Sequence, residues 1–128
     1  MKLIVLPDEY AICRLAPHYD VPSWALARRT FVSITCTADE LSIVCPFSSV
    51  PQDIHCERGW RAIKVQGPLD FSLTGILASL AVPLAEGGVS IFAVSTFDTD
   101  YILVKDVLRA RKLLEQQGHS FIGASYGK

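Results

Sequence analysis

No apolar run in this chain approaches a membrane span. The longest, Ile76–Ala85, is about half of one and carries Pro83. Only Leu3, Ile4, Val5 and Leu6 precede Pro7, too few for a secretory core of roughly 7–15 residues. A mature cytoplasmic protein is therefore expected, with no membrane partner. Neither sign of charge dominates: 12 basic and 13 acidic residues are interspersed, for a net charge of −1. That excludes the basic stripe needed to hold nucleic acid and the polybasic patch that docks on anionic lipid. Cys13, Cys36, Cys45 and Cys56 form no CxxC pair, so zinc has no ligand framework. Cys36 and Cys45 fall in strand-like apolar segments, and the cysteines are read as reduced, buried thiols.

Catalytic motifs are equally sparse. There is neither a Walker A sequence nor a G-x-G-x-x-G. His18, His55 and His119 are isolated and read as surface residues. The stretch "GASYG", Gly123–Gly127, fits the pattern of a nucleophile elbow, but that motif needs a following helix and later acid and histidine partners. Only Lys128 follows it here. We expect no enzyme, no metal and no cofactor.

Half the residues are apolar, enough for a good core and an oligomer interface besides. "WRAIKVQG" (Trp60–Gly67) alternates as a strand. Ile76, Leu77, Leu80 and Leu84 then recur at helical spacing, with Asp70 or Ser72 as caps, Gly87–Gly88 as the stop, and a kink or frayed turn at Pro83. "VSIFAVST" and "YILVK" read as a hairpin around "FDTD". Asp106 caps a second helix that Gly118 ends, and "HSFIGA" is a last strand. The order is βαββαβ, an α+β, ferredoxin-like arrangement.

The first half repeats part of this pattern. "FVSITCTADELSIVCP" (Phe31–Pro46) aligns with "IFAVSTFDTDYILVK" at an offset of about sixty residues, the size of a small repeat unit, placing Glu40 opposite Asp100. One or two strands precede it, and "APHYDVPSWALARR" leaves room for a turn of helix around Trp24. The expected organisation is a degenerate unit over 1–59 fused to a complete one over 60–128, neither stable alone.

Asp98 and Asp100 flank Thr99 in the hairpin turn. Asp98 reads as a turn former, bonding its own backbone. Asp100, at the mouth of a buried strand, is either a solvated turn acid or a hook for a cationic group. A helix N-terminus offers free N–H groups to a carboxylate, and Gly75 leaves the backbone open to close approach. A carboxylate and such a helix start together describe a receptor for an amino-acid zwitterion, without a nucleophile or base.

Leu73–Lys105 and the closing "VLRARKLLEQQGH" resemble the ACT domain family of small-molecule-binding regulatory modules, and more narrowly its tandem-ACT members related to the cytosolic arginine sensors. Gly75, Gly88–Ile91 and Ser95–Val104 carry the resemblance. It implies two tandem ACT-like units and amino-acid binding with allosteric consequence. In that case Thr74, Gly75 and Ile76 would offer backbone groups to a carboxylate, Asp100 would hold the ammonium, and Ser95, Thr96 and Phe97 would line the wall. A homodimer is expected. The alternative is a ligand-free module that docks on an enzyme or regulator.

Overall fold

The computed structural model describes residues 1–67 and 75–123. It contains two compact units, one formed by Met1–Pro7 with Arg61–Lys128 and the other by Asp8–Trp60. A 14-residue strand, β1 (Lys2–Leu15), contributes its first residues to one unit and the rest to the other. The sequence left open whether this segment makes one strand or two, and it makes one.

In the larger unit the elements follow in the expected order: β4 (Cys56–Val65), α1 (Ile76–Glu86), β5 (Phe92–Ser95), β6 (Asp100–Val104), α2 (Val107–Gln116) and β7 (Ser120–Ile122). This is the α+β class read from periodicity. β6 pairs antiparallel with both β4 and β5. The other side of β4 is taken by β1, where the Gln66 N–H donates to the Lys2 carbonyl at 2.9 Å. β7 then pairs parallel with β1, Lys2 beside Ser120. In a plain βαββαβ sheet β7 would flank β4 directly, so β1 is an additional strand between them. Its alternation explains this: Leu3 and Val5 are buried on one face of the strand. They join Ile63, Val65, Leu80, Leu84, Ile102, Val104, Ala110 and Leu114 in one core under the two helices.

β4 begins four residues before the expected Trp60. Its first residues include the exposed Glu57 and Arg58, and Gly59 stands at φ 89°. A polar start interrupted by a left-handed residue hides a strand from an apolar pattern.

α1 begins at Ile76, after Gly75 in the left-handed region at φ 77°. The expected caps, Asp70 and Ser72, lie outside the described residues. Both helices end in the same way. Val89 N–H reaches back to the Leu84 carbonyl (2.8 Å) and Gly88 N–H to Ala85 (3.0 Å); His119 and Gly118 repeat the pair on Leu114 and Glu115 at 3.2 and 3.0 Å. These are Schellman caps, with Gly88 and Gly118 in the C′ position at φ 76° and 91°. Asp106 caps α2 as expected, its carboxylate accepting from Arg109 N–H at 3.1 Å.

Pro83 lies within α1 and has no N–H for the Ser79 carbonyl four residues back. His119 Nε2 lies 3.1 Å from that carbonyl. A carbonyl only accepts, so Nε2 carries the proton and fills the missing bond. His119 is thus buried, 8% exposed, and the surface reading is corrected. The signal for it was present, since a proline inside a helix frees a carbonyl that needs a donor.

In the smaller unit, β1 pairs antiparallel with β3 (Leu41–Pro46) from Tyr10 opposite Pro46 to Leu15 opposite Leu41. β3 in turn pairs with β2 (Ser33–Cys36). Ala11, Cys13, Ala25, Leu41, Ile43 and Cys45 form its core, with Trp24 packed against them. The expected turn of helix around Trp24 is a 3-10 turn, Ser23–Leu26. Among the described residues this unit has no α-helix. Pro17 and Pro22 interrupt the stretch between β1 and β2.

Candidate functional site

The β5–β6 hairpin carries the candidate chemistry, and its turn is made by threonines. Thr96 N–H donates to the Thr99 carbonyl at 2.8 Å, and the Thr96 hydroxyl donates to the same carbonyl at 3.1 Å or accepts from Thr99 N–H at 3.3 Å. A short hydroxyl side chain does here what was expected of Asp98. Asp98 is exposed and makes no hydrogen bond among the described residues, which corrects its reading as the turn former.

Just inside the turn, Ser95 and Asp100 face each other as a register pair. The Ser95 hydroxyl donates to Asp100 Oδ1 at 2.6 Å. Asp100 is half-buried, and Oδ2 has no partner among the described residues. A carboxylate with one oxygen anchored and one open has a fixed direction and a remaining site for a donor. Phe97 stands at the tip of the turn, 79% exposed.

Thr99, which sequence reasoning passed over, is the buried member of the group. It is 5% exposed, and its hydroxyl donates to the Val65 carbonyl at 2.6 Å. The turn is thereby tied to the last residue of β4. A threonine between two aspartates in a turn carries no local sign of burial, and only the pairing of β6 with β4 brings Val65 to it.

The two hairpins can be superposed residue by residue. Thr37 N–H and hydroxyl address the Glu40 carbonyl at 2.9 and 3.3 Å, and Glu40 N–H reaches the Thr37 hydroxyl at 3.1 Å. Thr37 therefore corresponds to Thr96 and Glu40 to Thr99. Cys36 pairs with Leu41 as Ser95 pairs with Asp100. The offset is 59 residues, and the mate of Asp100 is Leu41 rather than Glu40. The slip was invisible because Ile43, Val44 and Cys45, like Ile102, Leu103 and Val104, are all buried. Unbroken apolar runs carry no alternation to set register.

Of the other site residues named from the sequence, Gly75 and Ile76 form the start of α1. No side chain caps that start among the described residues, and a Cβ on Gly75 would meet nothing within 4 Å. Ile76 packs against the core. Thr74 lies outside the described residues. A depression of about 690 Å³ lies elsewhere, on the outer side of α2 along Leu108, Arg109, Arg111 and Lys112.

The thiols fall into two kinds. Cys13 and Cys45 are buried and Cys56 half-buried, all on the core side of the smaller unit. A hydrogen bond to Cys45, and then burial, pushes the Cys13 thiol far above its ordinary range. Burial, with Cys13 as neighbour, also raises Cys56. Cys36 is exposed, contrary to its expected burial, because the end of its strand beside the turn is uncovered. Among the described residues no group of three or more histidine, cysteine or acidic side chains is placed to hold a metal ion. Among them, too, no helix is long and apolar enough to cross a membrane.

Comparison with known proteins agrees with the geometry. An ACT domain model matches residues 55–111, and a second model, of an N-terminal domain, matches residues 8–53. Subunit 1 of the cytosolic arginine sensor for mTORC1 from Homo sapiens is 42% identical over 48 residues, 37% of this chain. The match spans about 15% of that protein's length. A crystal structure of an Agrobacterium tumefaciens protein superposes with a TM-score of 0.88 at 46% identity, covering 94% of this chain and 91% of that one. The aspartate kinase of Clostridium acetobutylicum, described as an allosteric enzyme, shares the fold with a TM-score of 0.61 at 14% identity, over 90% of this chain and 34% of the kinase. The extent of these matches, with the strand and helix order of the larger unit, makes this chain a member of the ACT domain family, whose modules generally bind small ligands and are regulatory rather than catalytic.

Proposed function

We propose that the chain is an amino-acid-binding regulatory protein whose site is built from Asp100 and the start of α1. The observation that carries this is the Asp100 carboxylate, anchored by Ser95 at 2.6 Å through one oxygen, with the other open. That oxygen suits an ammonium group. The uncapped N–H groups after Gly75 suit a carboxylate. The chain leaves β4 at Val65, where the hairpin turn is tied, and α1 is the next element among the described residues. Ser95, Thr96 and Phe97 form the wall and Thr74, Gly75 and Ile76 the anion end, in a ligand of zwitterion size. Among the described residues no nucleophile or general base accompanies them, and the output on this reading is a shift between conformations or assemblies. The listening partner in that mechanism is a second copy of the chain in a cytoplasmic homodimer. The sensing role named for the arginine-sensor relative points the same way.

Thermal denaturation against each of the twenty free amino acids tests the reading. We expect one chemical group of them to raise the midpoint for the wild type and not for Asp100→Asn. A panel without any shift would end it. A second reading, a ligand-free docking module, draws on the exposed Phe97, Val82 and Leu108. Light scattering with a defined partner and no response to any amino acid would favour it.

A further inference from the structure

We propose that Thr99 is a positioning residue for the Asp100 site, acting through its hydrogen bond to the end of β4. This rests on the amino-acid-binding reading and assigns that site its internal support. Three observations carry it. Thr99 is one of only two polar residues buried among those described, and its hydroxyl is spent on a backbone carbonyl, that of Val65 at 2.6 Å. Its own backbone N–H and carbonyl both close the turn on Thr96. It also immediately precedes Asp100, so the backbone it fixes sets where the carboxylate begins.

The comparison of hairpins separates this role from ordinary turn building. The smaller unit builds the same turn with Thr37 and Glu40, and the residue in the Thr99 place is Glu40, half-buried with no side-chain bond inward. A hairpin of this geometry forms without a hydroxyl at that position. The hydroxyl occurs where the next residue is Asp100, and is absent where the next residue is Leu41. Its target is Val65, from which the chain proceeds to Gly75 and α1. One hydrogen bond therefore ties the turn that carries the acidic hook to the end of β4. If the bond is lost, the hairpin keeps its turn and its ladder on β4 from Arg61 to Lys64, but the turn loses its tie to Val65 and the Asp100 carboxylate is freer to shift. A site misplaced by about 1 Å binds poorly even when every group is present.

The test compares wild type, Thr99→Val, which keeps the shape without the hydroxyl, and Thr99→Ser, which keeps the hydroxyl. Amide hydrogen exchange is first measured without ligand. We expect Thr99→Val to lose protection in Lys64–Gln66 while Thr96 stays protected, and Thr99→Ser to retain both. Titration with the amino acids that stabilise the wild type should then show about tenfold weaker binding for Val and near-normal binding for Ser, the scale of one hydrogen bond. If Thr99→Val does not fold, Thr99→Ala is read in its place. Unchanged exchange in the hydroxyl-free variant overturns the inference, whatever the ligand results. So does wild-type affinity in that variant while Asp100→Asn fails to bind. If the wild type binds no amino acid, the functional reading falls, and exchange alone decides whether Thr99 holds the turn to β4.

Discussion

At the scale of single residues, the hydrogen-bond roles divide sharply by burial. Ser95 and Asp100 form a pair at the rim, Thr99 works beneath them, and Asp98 makes no hydrogen bond among the described residues. Sequence reasoning singled out Asp100 because an acid at the mouth of an apolar strand is conspicuous, and Ser95 through the family resemblance. It gave the turn to Asp98 because aspartate is the commoner turn residue, whereas the register of β5 with β6 places Thr96 and Thr99 where they can close it. His119 teaches the same lesson. Its bond to the Ser79 carbonyl compensates for Pro83, so His119→Phe should cost about 1–3 kcal/mol, the penalty of an orphaned carbonyl. Pro83→Ala restores an N–H to that carbonyl, and the same histidine change should cost less in its background. Chemical denaturation of the four proteins in a double-mutant cycle checks this, and strict additivity would contradict it. The thiols provide another check. With an aromatic disulfide reagent in native buffer, Cys36 should react rapidly and Cys56 slowly, with Cys13 and Cys45 silent until denaturant is added. Substituting Cys36→Ser should remove the fast phase alone.

At the scale of elements, the two helices in the larger unit were legible because their caps are written locally. Asp106 sits at the start of α2, and Gly88 and Gly118 at the two ends where the backbone turns left-handed. Asp106→Ala should lower stability by about 1 kcal/mol, as for loss of an N-cap, and Gly118→Ala by roughly 1–2 kcal/mol for forcing a Cβ into the left-handed region. Equilibrium unfolding in urea measures both. A Cβ at Gly118 would meet open space, with nothing within 4 Å, so any cost there is conformational rather than steric. The start of β4 was not legible. Its first turn of sequence alternates charge with glycine, and it becomes a strand through pairing and through the Arg58–Glu9 ion pair, 2.9 Å long, with Arg58 lying over the Phe47 ring. The ion pair joins residues 49 positions apart, so no local window of sequence contains it.

At the scale of the whole molecule, the 59-residue offset between hairpins has a functional consequence. The place of Asp100 in the smaller unit is held by Leu41, and that of Ser95 by Cys36. On the proposed reading, a chain with an acid at that position in both hairpins would present two hooks, and this one presents a single hook. Calorimetric titration with a stabilising amino acid should therefore give one ligand per chain, and two per chain would refute the assignment of the hook to Asp100. The architecture of the larger unit also depends on residues far outside it in sequence. Leu3 and Val5 are buried in its core. Deletion of Met1–Pro7 should unfold that unit, read as loss of exchange protection throughout β4 and β6.

The sequence by itself determined the helices and hairpins, the family and the place of an acidic residue at the strand mouth. Each of these is set by neighbours within a few turns of chain, where side-chain period and capping chemistry act. The tertiary structure alone decided that β1 enters between β7 and β4, that the repeat runs at 59 residues, and that Thr99 and His119 are buried donors to distant carbonyls. Those facts depend on which backbone lies beside which. Hydrogen-bond pairing across strands settles that, and an unbroken apolar run leaves it unspecified.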